Sequence, residues 1–594
     1  MYKKIALWFL LVCLTVAIFL FPTHLTFSMQ PAQSTYIFQS LPLFAIIFIV
    51  WVITLVWLFI LNKSDWLRMA LVGVFFIVFL GFWILITPYG LLMDYQPSGI
   101  TYVKELLSRR VISNTYWDNF GYLGFPFTPY LGAVVSKITT LSIFNMRTLI
   151  LLISSVVLGV SLFVFFRNML KNSSVAFVGA LFVIVGNMEL GNSLRFYPAG
   201  IGLVLFAVFL VLVIKKGVIF ESKWDKIIAI VLMLAITTAH YITAFYAVAI
   251  LLGILAVQLF TKEKLIKWWF IFVLVIIPLC WGLLVAHGFL VNNVWGNTVQ
   301  SAQQIISSSA GSSTVVSNPA INGSTIATPS PFSFWWIKDM ALSYLGAQNP
   351  LWIRMIISFW VIVVFIFGSI LALVNIFRIK KLSRNLKILT GAMFGIFGLS
   401  ILAVLASLNE GGYQFFRFLQ FGGFFLVPII LASTLKLRKG LAIGLVLLVV
   451  LSFPTFLAYN TTIEANAISP QEIQAGQYLE SVYGNGNGLV VYTDDITAGV
   501  LLYYLPNAYY VTNSVLSCVS KNDLVPSINH LFTQFNSNAD DKVFVLSPKL
   551  EWDYIHNLNV SAEDPEWGRL GANFVDDVKI YDNGFVQIYQ GGGK

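Results

Sequence analysis

Apolar runs of about 18–22 residues recur along the first three quarters of the chain, and each is long enough to cross a hydrocarbon core roughly 30 Å thick. Bilayer interiors offer backbone amides no water to bond. A chain with many such runs is therefore restricted to packed helices whose hydrogen bonds close within each segment. The runs lie at approximately 5–22, 42–62, 67–89, 148–166, 174–191, 197–214, 227–243, 245–260, 268–286, 352–377, 388–407, 420–435 and 440–458. Charged residues make up 10% of the chain, against roughly 25% in a soluble protein. Beyond residue 459 the pattern changes to short β-rich runs separated by turns. The expected class is an α-helical polytopic membrane protein of about thirteen spans, residues 1–459, followed by a small α/β domain, residues 460–594.

Basic residues are not spread evenly among the connections. One alternating set of loops holds Lys63/Arg68, Arg167/Lys171, Lys215/Lys216/Lys223/Lys226, Lys262/Lys264/Lys267, Arg378/Lys380/Lys381/Arg384/Lys387 and Lys436/Arg438/Lys439. With Lys3 and Lys4 it carries about 21 Lys and Arg, against about nine in the other set, which is the positive-inside pattern. It places the N-terminus in the cytoplasm and residues 460–594 outside. The same pattern accounts for the net charge of +10 without invoking nucleic acid. Cys13, Cys280 and Cys518 form neither a disulfide framework nor a metal-binding pair. The apolar run after Lys3 and Lys4 is too long for a signal-peptide core and reads as an uncleaved first span.

Two outer segments exceed simple connectors, residues 90–147 and 287–351. The first includes Ser98–Val111, where Ile100, Val103, Leu106 and Leu107 oppose Lys104, Glu105, Arg109 and Arg110. This suits a helix lying in the interface plane. The second has a Ser/Thr/Asn/Gly-rich middle, Ser301–Ser330. In the tail, Ser469–Tyr483 reads as a helix and Gly488–Tyr492, Ala508–Val511, Lys542–Leu546 and Gly584–Tyr589 as strands. Asp494-Asp495 reads as a strand-end turn.

Ionisable residues within or beside spans are costly and default to functional candidates. Asp94, Asp118, Glu189, Arg195, His240, Glu410 and Arg417 all fall on the outer side of this topology. A carboxylate held there, Asp94 or Asp118, suits a general base that deprotonates a hydroxyl; equally, Asp94 suits a helix cap or a partner for Arg109 or Arg147. Arg195 and Arg417 suit phosphate, because a guanidinium bonds two oxygens at once; the alternative is snorkelling to headgroups. His240 suits a phosphate ligand or a structural donor. Trp117 and the segment Gly121–Tyr130 suit a sugar or headgroup cradle, or a wedge that only packs. No metal-binding spacing stands out.

Asp94 after an early span, Trp117, the run Gly124-Phe125-Pro126-Phe127-Thr128-Pro129-Tyr130-Leu131, Arg195, Ala239-His240 and Phe415-Phe416-Arg417-Phe418 together resemble the GT-C superfamily of membrane glycosyltransferases. Within it the layout is most similar to the family labelled 6-pyruvoyl-tetrahydropterin-synthase-related membrane proteins. The resemblance implies a GT-C-like fold, a polyprenyl-phosphate-linked sugar donor and a glycan, lipid or protein acceptor outside the cytoplasm. It implies Asp94 as base with Asp118 in reserve, and donor or substrate contacts from Arg417, Arg195, His240, Glu410, Trp117 and Tyr130. A single Asp where some members carry an acidic pair points to metal-independent transfer with no cofactor. Two spans ahead of the one that leads into Asp94 depart from the pattern, and Trp552-Asp553-Tyr554 is followed by Ile555 where the oligosaccharyltransferase signature has Gly. A transporter or flippase of a lipid-linked substrate, and a non-catalytic assembly protein, are the alternatives. Against transport stand the absence of any detectable repeat and the outer-edge placement of the charges.

Overall fold

The computed structural model describes residues 2–20, 41–86, 99–109, 124–185, 195–215, 218–219, 222–286, 351–406, 411–434, 438–464, 468, 470–493, 495–511, 541–546, 578–583 and 586–590. Its helices begin with α1 (Tyr2–Leu20), α2 (Leu41–Leu61), α3 (Asp65–Ile86), α4 (Ile100–Arg109), α5 (Phe127–Thr139), α6 (Ile143–Leu170), α7 (Ser173–Val185) and α8 (Pro198–Val213). A short ribbon, β1 (Ile214–Lys215) and β2 (Val218–Ile219), leads to α9 (Lys223–Ala239), α10 (Tyr241–Thr261) and α11 (Trp268–Leu284). Then come α12 (Leu351–Phe377), α13 (Arg384–Ala406), α14 (Gly411–Thr434) and α15 (Arg438–Glu464). A helix overlies every predicted apolar run. Four described stretches, Pro42–Leu61, Asp65–Phe82, Ile143–Leu170 and Tyr241–Thr261, are long and apolar enough to cross a membrane by length and composition.

These helices are apolar on every side, so periodicity does not announce their core face. Packing assigns it. On α2, Phe48, Trp51, Val52, Leu55 and Leu58 are buried, whereas Ile46, Val50, Ile53, Trp57 and Ile60 point outward as a stripe at helical spacing. The buried stripe joins α3 and α15 through phenylalanines, with Phe48 and Phe456 ring centroids 4.5 Å apart and Phe82 and Phe456 5.1 Å apart. Across the bundle, Tyr246 of α10 stacks on Phe421 of α14 at 4.2 Å. Where side chains would hold two helices apart, glycine removes them. Gly253 of α10 faces Gly391 and Gly395 of α13, and a Cβ on Gly391 would meet the Ile254 Cα at 2.9 Å. Close backbone approach of this kind substitutes for hydrophobic driving force between helices in lipid.

The basic loops converge at one end. Arg167 pairs with Asp65 at 2.6 Å, and the Ser173 hydroxyl donates to the same carboxylate at 2.7 Å. Lys387 pairs with Glu263 at 2.7 Å, Arg384 donates to the Lys264 carbonyl, and Asn385 donates to the carbonyls of Asn168 and Met169. Trp66, Trp224 and Trp268 stand exposed around the same end, the location expected of an interfacial aromatic belt. α6 runs from this end to the other; its 28 residues span about 42 Å at the helical rise.

At the far end sits the C-terminal unit: α16 (Pro470–Tyr483), β3 (Leu489–Tyr492), α17 (Asp495–Tyr504), β4 (Tyr509–Val511), β5 (Asp541–Leu546), β6 (Val578–Asp582) and β7 (Gln587–Gln590). Its five-stranded sheet has the order β4-β3-β5-β7-β6. β3 is parallel to both β4 and β5, while β7 is antiparallel to β5 and β6. The mixed sheet agrees with the expected α/β character. Asp495 opens α17 rather than closing a turn, because the run behind it, Thr497 to Leu505, is buried without a break between neighbouring elements. Strand β6 departs from an apolar strand pattern at Lys579 and Asp582, which pair with each other at 3.0 Å.

The charge pattern predicts a cytoplasmic location for the basic end, and labelling tests it. In a background lacking Cys13, Cys280 and Cys518, a cysteine at Ser383 should react with an impermeant thiol reagent only after cells are opened. One at Asn487, in the turn before β3, should react in intact cells. The reverse labelling inverts the assignment.

Candidate functional site

Opposite the basic end, the amphipathic stretch forms α4 as expected, with Ile100, Val103 and Leu106 buried. Its polar side departs from expectation. Glu105 is buried, and Lys104 points into the C-terminal unit rather than toward headgroups. The Lys104 contact follows from α17 packing on α4, so this lysine, expected to face water, faces protein.

The aromatic Gly/Pro segment enters the bundle as a wedge. Trp281 donates its indole N–H to the Gly124 carbonyl at 2.8 Å, and a Cβ on Gly124 would lie 2.8 Å from that of Ala286. Phe125 is buried against Tyr241, ring centroids 6.1 Å apart. Pro126 then starts α5, which periodicity did not reveal. Thr128, Pro129, Gly132, Ala133 and Ser136 face inward. Tyr130 lies on the opposite, exposed side with Val134 and Ile138.

Arg195 is half-buried at the entry to α8, where its carbonyl accepts the Tyr197 amide at 2.8 Å and Pro198 supplies the first helical position. Neighbouring Phe196 is wholly buried. Its ring, Val103 of α4 and Met146 of α6 all close on Gly132 of α5, where a Cβ would find the first two at 2.8 Å. Four elements therefore meet beside Arg195.

His240 is the one residue between α9 and α10, held in an extended conformation (φ −155°, ψ 108°). Its ring Nδ1 lies 2.7 Å from the Thr243 hydroxyl, which fixes the ring plane, and its Cβ packs where Gly202 of α8 leaves room. Breaking the helix here leaves first-turn amides of α10 without intrahelical acceptors, next to the positive end of the helix dipole. Such a position favours an anion. His240 and Arg195 thus come from different connections but flank the same helix, α8.

Arg417 falls in the first two turns of α14, its side chain outside the described residues. Asp94, Trp117, Asp118, Glu189 and Glu410, and the Ser301–Ser330 segment, also lie outside them. Among the described residues, no three His, Cys, Asp or Glu side chains group as metal ligands. The sequence offers Arg147 only as a partner for Asp94; in the fold it is wholly buried near the start of α6. Its position between an apolar run and a capped helix start, Ser142 bonding the Asn145 amide, was the available signal.

No family model and no curated protein matches the sequence. Solved structures of lower similarity do align. The oligosaccharyltransferase of Archaeoglobus fulgidus in the apo form has a TM-score of 0.46 at 12% identity, over 83% of this chain and 71% of that one. Its complex with Zn and sulfate gives 0.45 at 12% identity, over 88% and 72%. ArnT from Cupriavidus metallidurans in the apo state gives 0.33 at 14% identity, over 83% and 97%. At these scores and identities the likeness carries neither a residue role nor an activity to this chain.

Proposed function

We propose that this protein is a membrane glycosyltransferase of the GT-C kind. It moves a sugar from a polyprenyl-phosphate donor to a glycan, lipid or protein acceptor on the extracytoplasmic side, without a metal. The observation that carries the reading is sidedness. Arg195, His240, the wedge at Gly124–Phe125 and α4 gather at the end of the bundle that bears the C-terminal unit, away from the ion-paired basic loops. A lipid-borne diester presents an anionic phosphate at the membrane surface and a sugar just beyond it. Arg195 and His240, with Arg417, match the phosphate by charge and by donor geometry. Asp94, with Asp118 in reserve, accepts the proton of the attacking hydroxyl as the sugar–phosphate bond breaks. Glu410, Trp117 and Tyr130 complete the donor and acceptor contacts, Tyr130 from the lipid-facing side of α5.

The test is transfer itself. Purified protein in nanodiscs, given polyprenyl-phosphate sugars and a mixture of glycan and lipid acceptors, should release polyprenyl phosphate in step with a glycosylated product. Donor that crosses a liposome membrane unconsumed would replace this reading with transport. Donor neither consumed nor moved would leave an assembly role.

A further inference from the structure

Lys104 links the two parts of the molecule. Its ammonium donates to the Tyr503 carbonyl at 2.8 Å and to Glu480 Oε1 at 3.2 Å. It also lies 4.4 Å from the centre of the Tyr503 ring and 5.1 Å from that of Tyr504. Carboxylate, carbonyl and two ring faces surround one cation, so each recognises the charge rather than the stem. The socket is rigid from behind: the Tyr504 ring fills the space over Gly476 of α16, and Phe144 of α6 reaches Tyr503 at 6.1 Å between centroids. Burial, with the Glu480 charge nearby, pushes the Tyr503 phenol up to about 12, so the ring stays neutral beside the ammonium.

The residue before Lys104 carries the connection inward. Val103 packs over Gly132 together with Phe196, and Phe196 adjoins Arg195. Any shift of α4 on the C-terminal unit is therefore delivered to the segment that holds Arg195. We propose that Lys104 is a positioning residue through which the docked C-terminal unit sets the donor-phosphate site at Arg195. The assignment of phosphate to Arg195 rests on the glycosyltransferase reading; the docking socket does not.

The experiment uses the full chain in nanodiscs, hydrogen exchange over 100–109 and 495–504, and steady-state transfer from a polyprenyl-phosphate sugar. Lys104→Met keeps the stem and removes the charge. Exchange in both segments should speed up about tenfold, and the donor KM should rise about tenfold with kcat within about twofold. A loss of folded protein would lower kcat and leave KM alone. Lys104→Arg, which restores the cation, should return both readings to near the wild-type values. Glu480→Gln, on α16 at the exposed rim of the socket, should give a partial effect of about threefold, and keeps the test informative if Lys104→Met does not fold. Unchanged exchange in Lys104→Met overturns the docking role, and faster exchange with an unchanged donor KM overturns positioning. A wild type that consumes no donor defeats the glycosyltransferase reading, and positioning with it, while exchange still decides whether the socket holds the unit.

Discussion

With Asp94 as the proposed base, Asp94→Asn should lower sugar transfer by about 100- to 10,000-fold in kcat while donor affinity stays near its original value, because loss of a general base acts on the chemical step. The amide is nearly isosteric with the carboxylate but cannot take the proton of the attacking hydroxyl. Arg417→Ala should do the opposite, raising the donor KM more than it lowers kcat, since the contact to phosphate proposed for it would be made already in the ground state. Steady-state kinetics on purified variants of equal folded fraction separates the two. An Asp94→Asn protein with near-normal turnover would move the base to Asp118. The charge pattern predicts both residues on the outer side, Asp94 in a connection and Arg417 in the first two turns of α14, so the pair also tests that grouping.

Gly395→Leu should prevent the bundle from assembling. A Cβ at Gly395 runs into the Ala249 carbonyl of α10, and one at Gly253 into the Gly391 carbonyl of α13. These are backbone atoms, which cannot rotate aside, so α10 and α13 would have to separate along their length. Overpacking a tight interior costs about 1–3 kcal/mol where side chains can adjust; here the cost should exceed that range, and even Gly395→Ala should destabilise. Gly398, one turn along the same helix, has open space around the same position. Gly398→Ala should therefore be tolerated and slightly favourable for the helix, by about 0.5–1 kcal/mol. Melting temperature and monodispersity in detergent measure all three. Equal stability of Gly395→Ala and Gly398→Ala would mean that the α10–α13 contact is looser than described.

Helix placement was legible because a bilayer-scale apolar run has few other fates, and every predicted run carries a helix. The α/β character of the tail was legible too, since Leu489–Tyr492 and Val543–Leu546 are apolar runs bounded by turn or charged residues. Elements that depended on a partner surface were not. The helix from Phe127 was hidden by three aromatic and two proline residues in Gly124–Tyr130, and it exists because Gly132 admits Val103, Phe196 and Met146. The helix from Asp495 reads as a turn until α16 and α4 are there to pack against it.

For the candidate site, residue chemistry alone singled out Arg195 and His240, because ionisable groups at span ends are rare and conspicuous. Charge alternation along the chain put them on one side. That they flank the same helix depends on Gly202 accepting the His240 side chain and on Phe196 locking into α5, contacts between residues far apart in sequence. Lys104 illustrates the limit most clearly. By composition and helical position it is a surface lysine of an amphipathic helix, and nothing local distinguishes it from Arg109. Only the tertiary structure brings Glu480, Tyr503 and Tyr504 around it, from a part of the chain more than three hundred residues away. Local sequence determines which segments must leave water and which charges remain at their ends; the meeting of distant side chains decides which of those charges face lipid and which face protein.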